Sequence, residues 1–305
     1  MNKGRGFQNS WWLLLITLGV MLATELPFAF AASEQYNFTF MLFSEFTLII
    51  PIFVGFSFVN LESSDGRVIE NMGFKGFPLR LLPFIILLPV CGQFFINYTI
   101  LPIQSILTIL FGGMDYSFAS SVESFWQNAV LMCILAPVFE EILCRGILMK
   151  LMKRYGTAKM LVYSSLGFAM LHMDIQAVIP LFFVGMILGI IRITTGSIFA
   201  AMIAHAASNL FSLVSITFMA DNEVASGIII SLLALVFPFA VWFYLKKCNG
   251  MANKSDLVHT ASSPTGFSTA FILLVVIFVI INLVTLVTRL ISGDVLYDIS
   301  RTFMS

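Results

Sequence analysis

Charge is scarce in this sequence. Of 305 residues only 10% are Asp, Glu, Lys or Arg, while 59% are hydrophobic and the mean hydropathy is +0.98. Soluble domains carry charge on roughly a quarter of their residues, so a water-soluble globular chain is excluded. The formal net charge is +0, with neither a basic stripe nor an acidic tail, which argues against nucleic acid as a partner. The four cysteines, Cys91, Cys133, Cys144 and Cys248, form no CxxC pair; that disfavours a disulfide framework and a thiolate metal site. Internal repeats, low-complexity tracts and any loop long enough for a separate soluble domain are missing too.

What fills the chain instead is a series of apolar runs, at residues 11–31, 39–60, 80–101, 125–149, 160–174, 177–192, 197–219, 227–245 and 267–290. A helix of about 20 such residues crosses a hydrocarbon layer of about 30 Å. The expected fold is therefore all-α, a polytopic transmembrane bundle of about eight or nine helices. When the segments alternate, Lys3, Arg5, Arg67, Lys75, Arg80, Lys150, Lys153, Arg154, Lys159, Arg192, Lys246, Lys247 and Lys254 fall on one side. By the positive-inside rule that side is the cytoplasm. The opposite loops, around Glu34, Asp115, Glu123, Asp174, Asp221 and Glu223, hold no Lys or Arg. This predicts a multi-pass protein of the cell membrane, N-terminus cytoplasmic and C-terminus outside, with Arg289 and Arg301 as exceptions. Lys3 and Arg5 before the first run, and Ala29-Phe30-Ala31 at its end, resemble a secretory leader. The segment is read as a retained helix, because cleavage would invert every later loop.

Ionisable groups inside such runs cost at least about 2.5 kcal/mol each on insertion scales, so they face a protein interior or a wet cavity. Glu140 lies ten positions before Lys150, His172 thirteen beyond Lys159 and His205 nine beyond Gly196. At 1.5 Å per residue these are depths of roughly 15, 20 and 14 Å from the Lys/Arg side. Residues four apart share a helical face, which groups Glu141 with Arg145, Phe168 with His172, and His205 with Asn209. An ion pair between Arg145 and Glu141 would leave Glu140 free to point elsewhere. A carboxylate and an imidazole sharing one water form a general-base pair for attack on a carbonyl, the role assigned to Glu140 and His172. His205 and Asn209 supply N–H donors for the oxyanion of a tetrahedral intermediate. The same donors allow a divalent metal such as zinc on Glu140, His172 and His205, although the HExxH spacing is missing.

Three stretches, "EEILCR" from Glu140, "FAMLH" from Phe168 and "HAASN" from His205, match EExxxR, FxxxH and HxxxN in order. The chain thereby resembles the CAAX-processing and bacteriocin-processing (CPBP, or Abi) intramembrane proteases, relatives of the type II CAAX prenyl endopeptidase. The resemblance covers residues 125–215, a protease core between N-terminal helices at 1–124 and C-terminal helices at 216–305. It implies an endopeptidase with a cavity open to the cytoplasmic side, Glu140 and His172 activating water, His205 and Asn209 holding the oxyanion, and Glu141 and Arg145 maintaining the site. The implied partners are a membrane-associated peptide or protein, prenylated or of bacteriocin or signalling type, and membrane lipid.

Other features receive plainer readings. Glu25 and Glu45 lie near the outer ends of their runs, where water or headgroups can solvate them. Cys144 is read as a small buried hydrophobe, and Pro137 as a kink near the site. Gly185 and Gly189, in GxxxG spacing, and Ala200, Ala201, Ala204 and Ser208 are read as surfaces for close helix approach. Two rival functions remain. One is a proton- or ion-coupled transporter relaying through Glu140, His172 and His205; the other is a non-catalytic immunity or scaffold protein.

Overall fold

A computed structural model of the chain describes residues 5–30, 38–62, 68–112, 124–219, 223–248 and 268–298. Among the described residues all regular structure is helical: α1 (Arg5–Phe30), α2 (Phe38–Thr47), α3 (Ile49–Glu62), the short α4 (Val68–Met72), α5 (Leu82–Phe111), α6 (residues 125–152), α7 (Thr157–Leu171), α8 (Ile175–Thr195), α9 (Ile198–Phe218), α10 (Glu223–Cys248) and α11 (Thr269–Ser292). Among the described residues six stretches are long and apolar enough to cross a membrane: Leu42–Leu61, Leu79–Phe111, Ile175–Thr195, Ile198–Phe218, Ala225–Cys248 and Thr269–Ser292. That is the organisation of an integral membrane protein. Large apolar side chains such as Phe53, Leu61, Trp126, Leu235 and Ile291 face outward, which lipid tolerates and water does not.

The other expected segments are helical but differ in kind. The apolar part of α1 is the shorter stretch Asn9–Thr24, and α7 has 15 residues. Helix α6 is interrupted by two π-helical turns, Leu131–Leu135 and Ile142–Leu148, flanking Ala136–Glu141. Pro137 explains the first. It has no N–H to give, and the Ala136 N–H bonds to Leu131 O, five residues back, so the turn widens just before the two glutamates.

The two larger of three apolar clusters among the described residues hold the bundle. One joins α1, α6, α7 and α11 around Trp11, Leu14, Leu143 and Leu274; Trp11 lies 4.5 Å from Phe271, centroid to centroid. The other joins α5, α8, α9 and α10 around Ile85, Leu188, Ala204 and Tyr244. Between α7 and α8 the glycines act as expected. A Cβ on Gly185 would meet Ser165 Cα at 3.2 Å, and one on Gly189 would meet Leu161 Cδ1 at 2.4 Å. Ala200, Ala201 and Ala204 of α9 are likewise fully buried.

Hydrogen bonds identify the two ends of the bundle. At one end Ile198 N donates to Gly73 O at 2.8 Å, Arg192 Nη2 to Met72 O at 3.1 Å, and Ser197 Oγ to Lys75 O. At the other, Thr108 Oγ1 donates to Gln176 Oε1 at 2.9 Å and Gln176 Nε2 to Gly112 O. The turn between α7 and α8, where Met173 has φ 53°, belongs to this second end. Asn282 of α11 holds it, accepting from Ile175 N at 3.1 Å and donating to Met173 O at 3.3 Å.

Candidate active site

The EExxxR turn of α6 forms a buried charged cluster. Glu141 and Arg145 expose 0% and 1% of their side chains, and Arg145 Nη1 lies 2.8 Å from Glu141 Oε1. The second guanidinium nitrogen donates to Gly185 O at 3.0 Å, a carbonyl accessible because glycine lets α8 approach. The Arg145 cation also lies 4.6 Å from the centroid of Phe168. His205 Nδ1 is 3.0 Å from the same Glu141 Oε1, so one carboxylate oxygen ties α6 to α9 and to its own arginine.

Glu140, about 100° round the helix, lies outside that cluster. Its side chain is 21% exposed and Oε2 is 3.9 Å from His205 Nε2; this oxygen is buried and has no hydrogen-bond partner. It borders a cavity of about 890 Å³ that His172, His205 and Asn209 also line. His172 stands at the C-cap of α7, with Nδ1 3.0 Å from Phe168 O. A carbonyl only accepts, so Nδ1 carries the ring proton and Nε2 the lone pair. The Phe168 ring meets both imidazoles edge to face, His172 at 5.1 Å and His205 at 5.8 Å. Asn209 Nδ2 donates to Met132 O at 2.7 Å. That carbonyl lacks its π-helical donor because Pro137 stands five residues on, so the kink and the carboxamide fix each other.

Every sequence-derived candidate borders the cavity except Glu141 and Arg145, which lie behind it. Cys144 also lines it and is a free, buried thiol. The metal alternative lacks a ligand set. Among the described residues no three of His, Cys, Asp or Glu are gathered to hold an ion, so Glu140, His172 and His205 do not form one in this conformation.

Three contributors were missed from sequence. Glu45 lines the cavity in electrostatic contact with Glu140, one of its oxygens buried without a partner, rather than being solvated at the outer end of its run. The side chain of Glu25 lies outside the described residues. Gln93 links α5 to α9, donating to Ser212 Oγ at 2.8 Å and accepting from Ser208 Oγ. Asn282 pins the turn that carries His172. A lone amide within an apolar run was the available signal for both.

Residues 122–211 match the family described as Type II CAAX prenyl endopeptidase Rce1-like. No curated protein and no solved structure matches the chain. The matched segment, less than a third of the chain, contains Glu140, Glu141, Arg145, Phe168, His172, His205 and Asn209, and over it this integral membrane protein is similar to the CAAX-type proteases.

Proposed function

We propose that the protein is an intramembrane endopeptidase that hydrolyses a peptide bond of a membrane-associated substrate with water activated by Glu140 and His172. The observation that carries this reading is the Glu140 oxygen, buried and unpartnered on the wall of a cavity shared with two imidazoles. Unsatisfied buried polar atoms are costly unless a ligand or water meets them. Glu140 takes the proton of the attacking water, and His172 Nε2, a lone pair by its tautomer, accepts the other O–H and orients the nucleophile. The free N–H of Asn209 and Nε2–H of His205 donate to the oxyanion. His205 already gives Nδ1–H to Glu141, so it donates from Nε2 as the imidazolium, with the Glu141 carboxylate as counter-charge. Collapse of the intermediate passes the proton from Glu140 to the leaving amine.

The relay reading has less support. On the Arg145 side of the site, Met72 Cε and Ile198 Cδ1 crowd Gly146, with 3.3 and 3.2 Å left for a Cβ there. A relay needs polar groups through that layer. The test is a comparison of peptides released by membranes carrying the wild type and Glu140→Gln, at equal accumulation. General-base catalysis contributes about 10²–10⁴-fold, so the variant releases at least a hundredfold less. Equal release overturns the protease reading.

A further inference from the structure

We propose that the catalytic cavity faces away from the cytoplasm, so that the scissile segment is delivered from the non-cytoplasmic side of the membrane: an exported or translocated peptide rather than the tail of a cytosolic protein. The substrate half of this statement rests on the protease reading above; the orientation does not.

The argument joins the lining of the cavity to the sorting of cations. Helices that run away from the Lys/Arg end contribute their later turns, such as Met21 of α1, Gln104 of α5 and Ser215 of α9. Spans that run toward it contribute their early turns, such as Glu45 near the start of the span Leu42–Leu61, Met132 of α6 and Ser226 of α10. The α7–α8 turn, with His172 and Asp174, borders the cavity, while the α6–α7 connection, with Lys153, lies at the opposite end. All Lys and Arg outside α6 other than Arg289 and Arg301 belong to that opposite end by sequence. Arg289 is a weak exception, its charge being paired with Asp298 at 2.5 Å. By the positive-inside rule the cation-rich end is cytoplasmic, which places the cavity in the other half of the bundle.

Volume gives the same answer. On one side of the Glu141–Arg145 pair lies the cavity of about 890 Å³. On the other, bordered by Arg145, Lys150, Lys153 and Arg192, is a void of about 20 Å³, room for about one water. The cytoplasmic end is plugged by α4 and the strand of chain after it, bonded to Arg192, Ser197 and Ile198. Beyond His205 the wall toward the far end is polar, with Asn97, Gln104, Ser212 and Ser215 facing apolar Met21, Leu22 and Leu181. Amides and hydroxyls there replace the water that an extended peptide backbone loses on entering, and the apolar face receives its side chains. The cytoplasmic opening implied by the family resemblance is thus at odds with this chain's own cation pattern.

Single cysteines in the full-length protein test this. Ser215→Cys and Gln104→Cys report the cavity wall and Lys247→Cys, an exposed position, reports the cation-rich end. A membrane-impermeant charged maleimide is applied to right-side-out and inside-out vesicles, with the wild type as background. The expected result is labelling of Ser215→Cys and Gln104→Cys from right-side-out vesicles, at least about tenfold faster than from inside-out ones, and the reverse for Lys247→Cys. Labelling of both cavity positions only from inside-out vesicles, or from neither face, overturns the orientation. Failure of Glu140→Gln to stop peptide release removes the reaction and leaves the labelling result standing, so the two readings fail separately.

Discussion

Removing one member of the Glu141–Arg145 pair should cost far more than removing both. The pair is 2.8 Å long, with 0% and 1% of the side chains exposed, and Glu141 Oε2 has no other partner. Arg145→Met therefore leaves a carboxylate uncompensated in a low-dielectric interior, a loss of about 3–5 kcal/mol. Glu141→Gln strands the guanidinium, though Gly185 O and the Phe168 ring still receive it, so its cost falls at the lower end of that range. In the double variant no buried charge is orphaned. What remains lost is the Gly185 bond and the cation–π contact, each worth about 1 kcal/mol. The cycle then closes with a coupling of about 4–6 kcal/mol, the sum of the two single costs less that of the double variant. The measurement is thermal denaturation of detergent-purified protein for the four members, with membrane accumulation as a second readout. Single costs that add in the double variant to within about 0.5 kcal/mol would show that the pair is not a buried charge cluster and would refute the reasoning.

Two further outcomes follow from the helix contacts. Asn282→Leu removes the bonds to Ile175 N, Met173 O and Phe278 O, about 1 kcal/mol each. It should lower kcat for peptide release through loss of His172 positioning while KM changes little; an equal fall in accumulation and activity, with kcat per folded molecule unchanged, would mean that Asn282 serves stability alone. Gly185→Val places a side chain against the Ser165 backbone, forcing α7 from α8 at a cost of about 1–3 kcal/mol, and should be read out as a lower denaturation temperature together with lost activity. Retained stability would show that α7 and α8 are not in close approach.

The helical bundle was legible because lipid-facing helices need unbroken apolar runs, and the run lengths were readable directly. The polar cluster beside the cavity was legible for a different reason: carboxylates, imidazoles and a carboxamide are rare enough in such runs for their i,i+4 spacing to stand out. The Glu141–Arg145 contact and the Gly185 approach both follow from such spacings. Glu45 was misread because distance along one helix does not reveal which other helices it faces, and a cavity of about 890 Å³ gathers residues from very different heights. The π turns of α6 were hidden as well. Pro137 announced a disturbance, but the choice between a bend and a widened turn was settled by Asn209 reaching Met132 O from another helix. Direction was the hardest property to read, since it needs both the cation pattern and the knowledge of which ends of the helices border the void.

Phe168 has a consequence of its own. One rigid ring touches the guanidinium and both imidazoles, so it acts as a gauge block whose width sets the spacing between the two histidines. A flexible side chain of equal bulk would fill the space yet let that spacing breathe, and under the proposed hydrolysis a water between the histidines would lose its fixed line of attack.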